Sequence, residues 1–376
     1  MAPIRVLVVD DAVVVRRVVS EALSSEPDIQ VVATAANGRI ALQRIPQCAP
    51  DIVTLDVEMP EMDGLETLRH LRAAYPALPV IMFSTLTERG ATTTLDALAL
   101  GASDYITKPS QTGSLDRSLQ RLRDELVPRI RALAGRAAAT PAVSAAPASR
   151  PASARLLTHP SARAHHTPVG IVAIGVSTGG PNALDDLLPR LRPDLPVPVV
   201  LVQHMPPMFT RLLAERLDAQ CALHVRESSG GEPLVPGQVY IAPGGSHLIV
   251  ARQGVDVVTA LTQSSPENSC RPAVDVLFRS VAAVYGADAL AVVLTGMGQD
   301  GLRGCEDIRE HGGRVLAQDE ASSVVWGMPG FVAKAGLAEK VLPLDALASE
   351  INRLTMEGRI GRRTDSAIAA GAARHR

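Results

Sequence analysis

Along most of the chain, short apolar runs alternate with longer stretches in which apolar residues recur every three or four positions. The runs at 4–9, 29–33, 51–55, 79–83 and 103–106 predict strands. The stretches near 13–24, 38–46, 64–74, 88–100 and 114–133 predict helices between them. Five strands interleaved with five helices predict a parallel, doubly wound sheet. A second alternating segment offers strands near 169–174, 197–202, 238–242, 247–251, 255–259, 289–294, 313–317 and 339–342. Helices fit near 180–191, 207–218, 272–285, 300–311, 322–326, 329–335 and 344–355. This part is again α/β, with 238–259 reading as an antiparallel ribbon whose turns are Pro243-Gly244-Gly245 and Gln253-Gly254.

The alternation stops between about Leu133 and Pro168, where Ala, Pro, Ser and Arg dominate and acidic residues are absent. Pro141, Pro147, Pro151 and Pro160 forbid a continuous helix. A flexible linker of roughly 35 residues is expected, longer than a compact domain tolerates as a loop. His165-His166 within it reads as a solvated pair rather than a metal site. The Gly/Ala/Arg-rich end, Glu357 to Arg376, is expected to be a disordered tail. The expected division is a domain over 1–125, a helix end and linker over 126–168, a second domain over 169–355 and a tail over 356–376.

Composition narrows the function classes. With 376 residues, 46% apolar and 20% charged, the chain has the makeup of two or three folded domains. A net charge of −2 supplies no general attraction for nucleic acid or anionic lipid, and no basic recognition-helix pattern follows the linker. The cysteines Cys48, Cys221, Cys270 and Cys305 lie far apart in sequence. That argues against a disulfide scaffold or structural zinc site and fits a reducing cytoplasm. The N-terminus lacks a cationic start and a cleavage site, so no signal peptide is expected. No apolar segment reaches the ~18 residues of a membrane span.

In a parallel sheet, ligands bind outside the carboxyl ends of the strands. In the first domain those ends carry Asp10-Asp11, Asp56 and Ser84, with Lys108-Pro109 after the fifth strand. Three converging carboxylates raise each other's pKa unless a cation sits among them. Hard oxygen ligands suit Mg²⁺, which keeps several waters and recruits a phosphate oxygen. A lysine opposite pairs with a phosphoryl group, so this edge reads as a site that accepts phosphate on a carboxylate.

In the second domain, Gly175-Val176-Ser177-Thr178-Gly179-Gly180 follows an apolar run and reads as a strand feeding a helix, with Ser177 at the bend. Residues 175–179 fit the G-x-S-x-G spacing of a nucleophile elbow. A phosphate-cradling turn and an ordinary strand-to-helix turn have the same appearance, so three readings stay open. His204 ends the next strand unit, and Asp300 lies in the Gly-rich Thr295-to-Gly301 turn after strand 289–294. As base and orienting acid they would complete a triad for Ser177. The plainer readings are a hydrogen-bonded strand-end histidine and a helix N-cap. Thr178 either caps the following helix or stands near an oxyanion.

Asp10-Asp11, Asp56 within Leu55-Asp56-Val57-Glu58-Met59-Pro60, Ser84 and Lys108-Pro109 resemble the response-regulator receiver family over residues 1 to about 125. The resemblance implies a flavodoxin-like fold in which Asp56 takes phosphate from a chemotaxis histidine kinase. It implies Mg²⁺ held by Asp10, Asp11, Asp56 and the Glu58 backbone carbonyl, with Ser84 and Lys108 reading the phosphoryl oxygens. Tyr105 falls at the family's rotating aromatic, although a merely packed aromatic reads the same way.

From about 168 to 355, the chain resembles the CheB family of chemotaxis methylesterases. The likeness rests on Gly175 to Gly180, Gln203-His204-Met205-Pro206, Tyr240 to Gly244, Arg271 to Phe278, Thr295 to Gly301, Ala317 to Ser323 and Gly327-Met328-Pro329. It implies a Rossmann-like fold and a triad of Ser177, His204 and Asp300, with the Met297 backbone N–H near the oxyanion. The esterase chemistry then needs no cofactor. The implied substrates are glutamyl methyl esters, and also glutamines, on methyl-accepting chemoreceptor helices in the cytoplasm. Cys270 stands where a histidine is common before the Arg-Pro pair. The expected control is a receiver that covers the Ser177 edge until Asp56 is phosphorylated. A competing reading is a receiver controlling a non-enzymatic nucleotide- or partner-binding module.

Overall fold

A computed structural model describes residues 2–108, 115–137 and 168–357. Pro109, most of the expected linker (with His165-His166) and the end beyond residue 357 lie outside the described residues. In chain order the first domain runs β1 (Ile4–Val9), α1 (Val13–Ser24), β2 (Ile29–Ala35), α2 (Gly38–Cys48), β3 (Ile52–Asp56), α3 (Gly64–Ala74), β4 (Val80–Ser84), α4 (Glu88–Ala99), β5 (Asp104–Thr107) and α5 (Leu115–Ala137). Its five strands form one parallel sheet in the order β2-β1-β3-β4-β5. Asn37, Asp63 and Thr87 cap α2, α3 and α4 by accepting first-turn amides, which fixes where each helix starts.

The second domain continues with β6 (Ile171–Val176), α6 (Gly180–Leu187), β7 (Val199–Gln203), α7 (Pro207–Gln220), β8 (His224–Glu227), β9 (Gln238–Ile241), β10 (His247–Gln253) and β11 (Asp256–Thr262). It ends with α8 (Val274–Tyr285), β12 (Ala289–Val293), α9 (Leu302–Glu310), β13 (Arg314–Gln318), α10 (Met328–Lys334), β14 (Lys340–Leu342) and α11 (Leu344–Met356). Seven strands make a parallel sheet ordered β14-β13-β12-β6-β7-β9-β8, and β10 and β11 pair antiparallel.

The two-residue period of a strand sends alternate side chains to opposite helix layers. On β6, Ile171 and Ala173 pack with Val274, Phe278 and Ile308 of α8 and α9. Val172, Ile174 and Val176 pack with the side that carries α6, α7 and α11. Both faces are therefore apolar, which is why the central strands read as unbroken apolar runs. Two of the apolar clusters cross the domain boundary. One joins Ala91 and Leu95 of α4 to Leu184 and Phe209, and the other joins Leu122 and Leu126 of α5 to Val325.

Two sequence expectations are corrected. Residues 238–241 do not belong to the ribbon: β9 is inserted in the main sheet, parallel to β7 and β8. Val239, Tyr240 and Ile241 are all buried, as a central strand requires, whereas β10 and β11 keep one exposed face and turn at Gln253-Gly254. Residues 322–326 form no helix. Ser322 and Ser323 bond back to Asp319, and the Trp326 indole N–H donates to the Gln318 carbonyl, so local side-chain bonds hold a turn instead.

Candidate active site

Strand order reverses beside β6. The chain leaves it for β7 on one side and returns through β12 on the other, and such a switch opens a crevice at the carboxyl edge. Ser177 follows β6, His204 follows β7, and the 295–301 turn follows β12. The loops are tied together: Ser177 N donates to Thr295 O at 3.0 Å, and His204 N donates to Val176 O at 3.3 Å. Gly179 takes a left-handed φ of +75°, and a Cβ on Gly180 would fall on the Gln203 amide. Gln203 in turn donates to the Ser177 carbonyl at 3.0 Å. Packing thus accounts for these glycines without a phosphate cradle.

His204 Nε2 lies 2.7 Å from Asp300 Oδ2. Its other ring nitrogen, Nδ1, lies 3.7 Å from the Cys270 thiol, and both residues line one cavity. The Ser177 hydroxyl shares that cavity of about 470 Å³ without a hydrogen bond to the ring among the described residues. Asp300 is held from every side. Oδ2 also accepts the Val274 amide at 2.7 Å, and Oδ1 accepts the amides of Asp275 and Gly301 at 3.0 Å. Burial raises the Asp300 carboxyl, but the His204 ring and these amides outweigh it and hold it below its usual range. Burial likewise opposes charge on His204, yet Asp300 and Cys270 prevail and raise it above an ordinary imidazole.

Sequence reasoning missed the support behind Asp300. The Asn268 side-chain amide donates to Asp300 Oδ1 at 2.9 Å and to Asp275 Oδ2 at 2.8 Å. Asp275 also accepts the Gly304 amide, and burial, with Asp300 beside it, pushes its carboxyl up to about 6. Asn268 and Ser269 both adopt positive φ, a strained pair that Asn tolerates best. His247, fully buried, fixes the same loop by accepting the Ala273 amide and bonding to the Ser265 carbonyl. No motif in the sequence marked Asn268. Asp275 lay inside a quoted motif but had no assigned partner. Met297 packs its side chain against the cluster that includes α5.

The first domain forms the opposite wall of the cavity, through Asp104, Tyr105 and Arg129. Asp104 Oδ2 accepts both the Thr178 hydroxyl at 3.0 Å and Arg129 Nε at 2.9 Å. Tyr105 stacks on Phe209 with ring centroids 4.7 Å apart. Around them, Arg211 and Arg216 of α7 reach Glu88 and Asp96 of α4 at 2.6 and 3.0 Å. Thr178 neither caps α6 with its side chain nor is free: its hydroxyl belongs to the domain boundary.

At the carboxyl ends of β1 and β3, ligand oxygens of Asp10, Asp11 and Asp56 lie within 4.8 Å of one another. Lys108 Nζ is 3.0 Å from Asp10 Oδ2 and 2.7 Å from Asp56 Oδ2. Neither buried oxygen receives a well-aligned hydrogen bond, so both keep unfilled acceptor capacity. Burial pushes the Asp56 carboxyl up to about 6, Lys108 restraining it and Asp10 adding to it. Ser84 is turned toward α4, donating to Gly90 O at 3.2 Å and accepting the Thr94 hydroxyl at 2.7 Å. No helix among the described residues is long and apolar enough to cross a membrane.

Residues 172–351 match the CheB methylesterase family model, and residues 6–120 match the response regulator receiver domain. A relative in Nocardioides sp., named protein-glutamate methylesterase/protein-glutamine glutaminase, is 54% identical over 375 residues, spanning 99% of this chain and 100% of its own. Another of that name, in Trichodesmium erythraeum, is 53% identical over 357 residues, or 94% of this chain and 99% of its own. The solved Thermotoga maritima CheB methylesterase catalytic domain is 44% identical with a TM-score of 0.49, covering 50% of this chain and 100% of that one. The chain belongs to the CheB family of protein-glutamate methylesterases/protein-glutamine glutaminases, with a response-regulator receiver domain preceding the methylesterase domain.

Proposed function

We propose that the chain is a phosphorylation-activated serine hydrolase that demethylates glutamate methyl esters, and deamidates glutamines, on chemoreceptor helices. The observation that carries this reading is the Asp300–His204 Nε2 bond, which leaves Nδ1 as the nitrogen not held by the carboxylate, on a ring that lines one cavity with Ser177. Ser177 Oγ attacks the γ-carbonyl carbon while His204 Nδ1 takes its proton, and Asp300 steadies the charge that forms on the ring. The Met297 amide, with the Gly-rich turn around it, stabilises the oxyanion. The tetrahedral adduct collapses, and methanol, or ammonia from glutamine, departs with the proton from His204. Water then attacks the acyl-enzyme with His204 again as base, giving glutamate and restoring the Ser177 hydroxyl.

Asp56 is the proposed phosphoryl acceptor, supplied by a chemotaxis histidine kinase. The clustered carboxylate oxygens of Asp10, Asp11 and Asp56, two of them paired only with Lys108, suit a hard cation, so Asp10, Asp11, Asp56 and the Glu58 carbonyl would hold Mg²⁺. That ion supplies charge neutralisation for the incoming phosphoryl group. Lys108 and Ser84 are the proposed phosphoryl contacts, and Tyr105 the proposed relay. Drawing Ser84 toward a phosphoryl oxygen takes it from Thr94 on α4, a helix that packs on α6 and α7. Turning Tyr105 breaks its stack on Phe209. Both changes weaken the closed boundary and shift the population toward an open site. The same reading divides the chain into a receiver over 1–125, a helix end and linker over 126–168, a catalytic domain over 169–355 and a tail, all in the cytoplasm.

A serine-reactive fluorophosphonate tests the chemistry. Labelling is expected at Ser177 and lost in Ser177→Ala, together with demethylation of receptor peptides followed by mass spectrometry. Wild-type turnover by Ser177→Ala would overturn the proposal.

A further inference from the structure

Cys270 and His204 are 66 positions apart in sequence, yet Cys270 Sγ lies 3.7 Å from His204 Nδ1. Two ligands on a tetrahedral zinc ion, at ~2.3 Å for sulfur and ~2.0–2.1 Å for nitrogen, stand ~3.6 Å apart. The two side chains are therefore already at the spacing such an ion imposes. The rest of the ring is also arranged as in a metal site. A metal-bound histidine generally gives its other N–H to a carboxylate, which fixes the tautomer and strengthens the ligand nitrogen. Here that partner is Asp300, 2.7 Å from Nε2 and itself anchored by the amides of Val274, Asp275 and Gly301. Asp300 sits on the opposite side of the ring, so it is an outer partner and not a third ligand at Nδ1. The cavity that both side chains line leaves the remaining positions to water.

We propose that His204 Nδ1 and Cys270 Sγ form an inhibitory site for a thiophilic divalent cation of the zinc class. The Cys270 thiol loses its proton to solvent, and the thiolate and the Nδ1 lone pair each bind the ion. No electrons are transferred. The inhibitory half rests on His204 being the base of the proposed hydrolysis, because the ion occupies the lone pair that must take the Ser177 proton. The binding half does not rest on it. Hard cations such as Mg²⁺ have little affinity for thiolate, so the receiver's own ion does not compete here.

The test uses the full chain in excess Mg²⁺, titrated with Co²⁺ for absorbance and with Zn²⁺ for hydrolysis of a small ester. A thiolate-to-cobalt charge-transfer band is expected in wild type and absent in Cys270→Ala and in Cys270→Ser. Zn²⁺ is expected to inhibit wild type reversibly, with recovery on chelation, and the midpoint is expected to rise at least about 10-fold in both variants. No band in wild type, or a band that persists in both variants, overturns the site. A band without inhibition upholds the site and overturns His204 as the base, which separates the two failures.

Discussion

Replacing Asp104 by Ala should release the receiver without touching the esterase side of the boundary. Asp104 is buried and accepts Thr178 from the catalytic domain and Arg129 from its own. The Arg129 pairing is internal to the receiver, so its loss falls equally on closed and open arrangements and cancels. Only the Thr178 bond distinguishes them. A hydrogen bond to a charged partner contributes about 1.5–3 kcal/mol, which corresponds to a shift of about 10- to 150-fold in the closed-to-open ratio. The peripheral pairs Arg211–Glu88 and Arg216–Asp96 are half-exposed or more on at least one side and contribute little each. Demethylation of a receptor fragment is measured with and without a small phosphodonor. The unphosphorylated rate should rise about 10-fold or more, up to the ceiling set by the activated enzyme, so the activation ratio contracts. Thermal unfolding confirms that the variant is folded. A folded Asp104→Ala protein with an unchanged basal rate would refute the coupling through Thr178.

Three further outcomes are expected. Asn268→Ala removes the amide that bridges Asp300 and Asp275, so kcat should drop about 10-fold with KM little changed, the split of a positioning residue rather than a binding one. A proposed base raised above the ordinary imidazole range is still protonated near neutrality, so kcat/KM of the activated enzyme should keep climbing above pH 7. In Cys270→Ala that limb should move to lower pH, and a flat profile above pH 6.5 would contradict the assignment. Mg²⁺ should raise the unfolding temperature at pH 7.5 by a few degrees, as about 2.7 kcal/mol does at 100 times Kd. The increment should shrink as pH falls through about 6, where protons compete for Asp56, and vanish in Asp11→Asn.

How much of this was legible in sequence depended on how local the cause was. Strands of both main sheets announced themselves because helices cover both faces, leaving runs such as Val199 to Val202 apolar throughout. Ser177, His204 and Asp300 could be grouped because each lies just beyond a strand that ends on the same edge. What stayed hidden was side-chain partnership across long separations. Cys270 stood out as a departure from the family pattern, but its place at His204 Nδ1 depends on how the 263–273 loop folds over the site. The tie of Thr178 to Asp104 spans two domains and follows from their packing, not from any spacing. The placement of β9 failed for a related reason. Its turn residues suggested a hairpin, while complete burial of Val239 to Ile241 put it inside the larger sheet.

The cavity beneath the receiver is not sealed. At about 470 Å³ it holds little more than one turn of an α-helix ~10–12 Å across, whereas it takes a small ester with room to spare. Asp104 grips the Thr178 hydroxyl, while among the described residues no side chain is hydrogen-bonded to the neighbouring Ser177 hydroxyl. If the boundary stays closed before phosphorylation, the proposed control would sort esters by size rather than switch off the serine. Under that reading, reactivity toward small acyl probes and turnover of receptor helices would be separate properties of this fold, with phosphorylation bearing on the second.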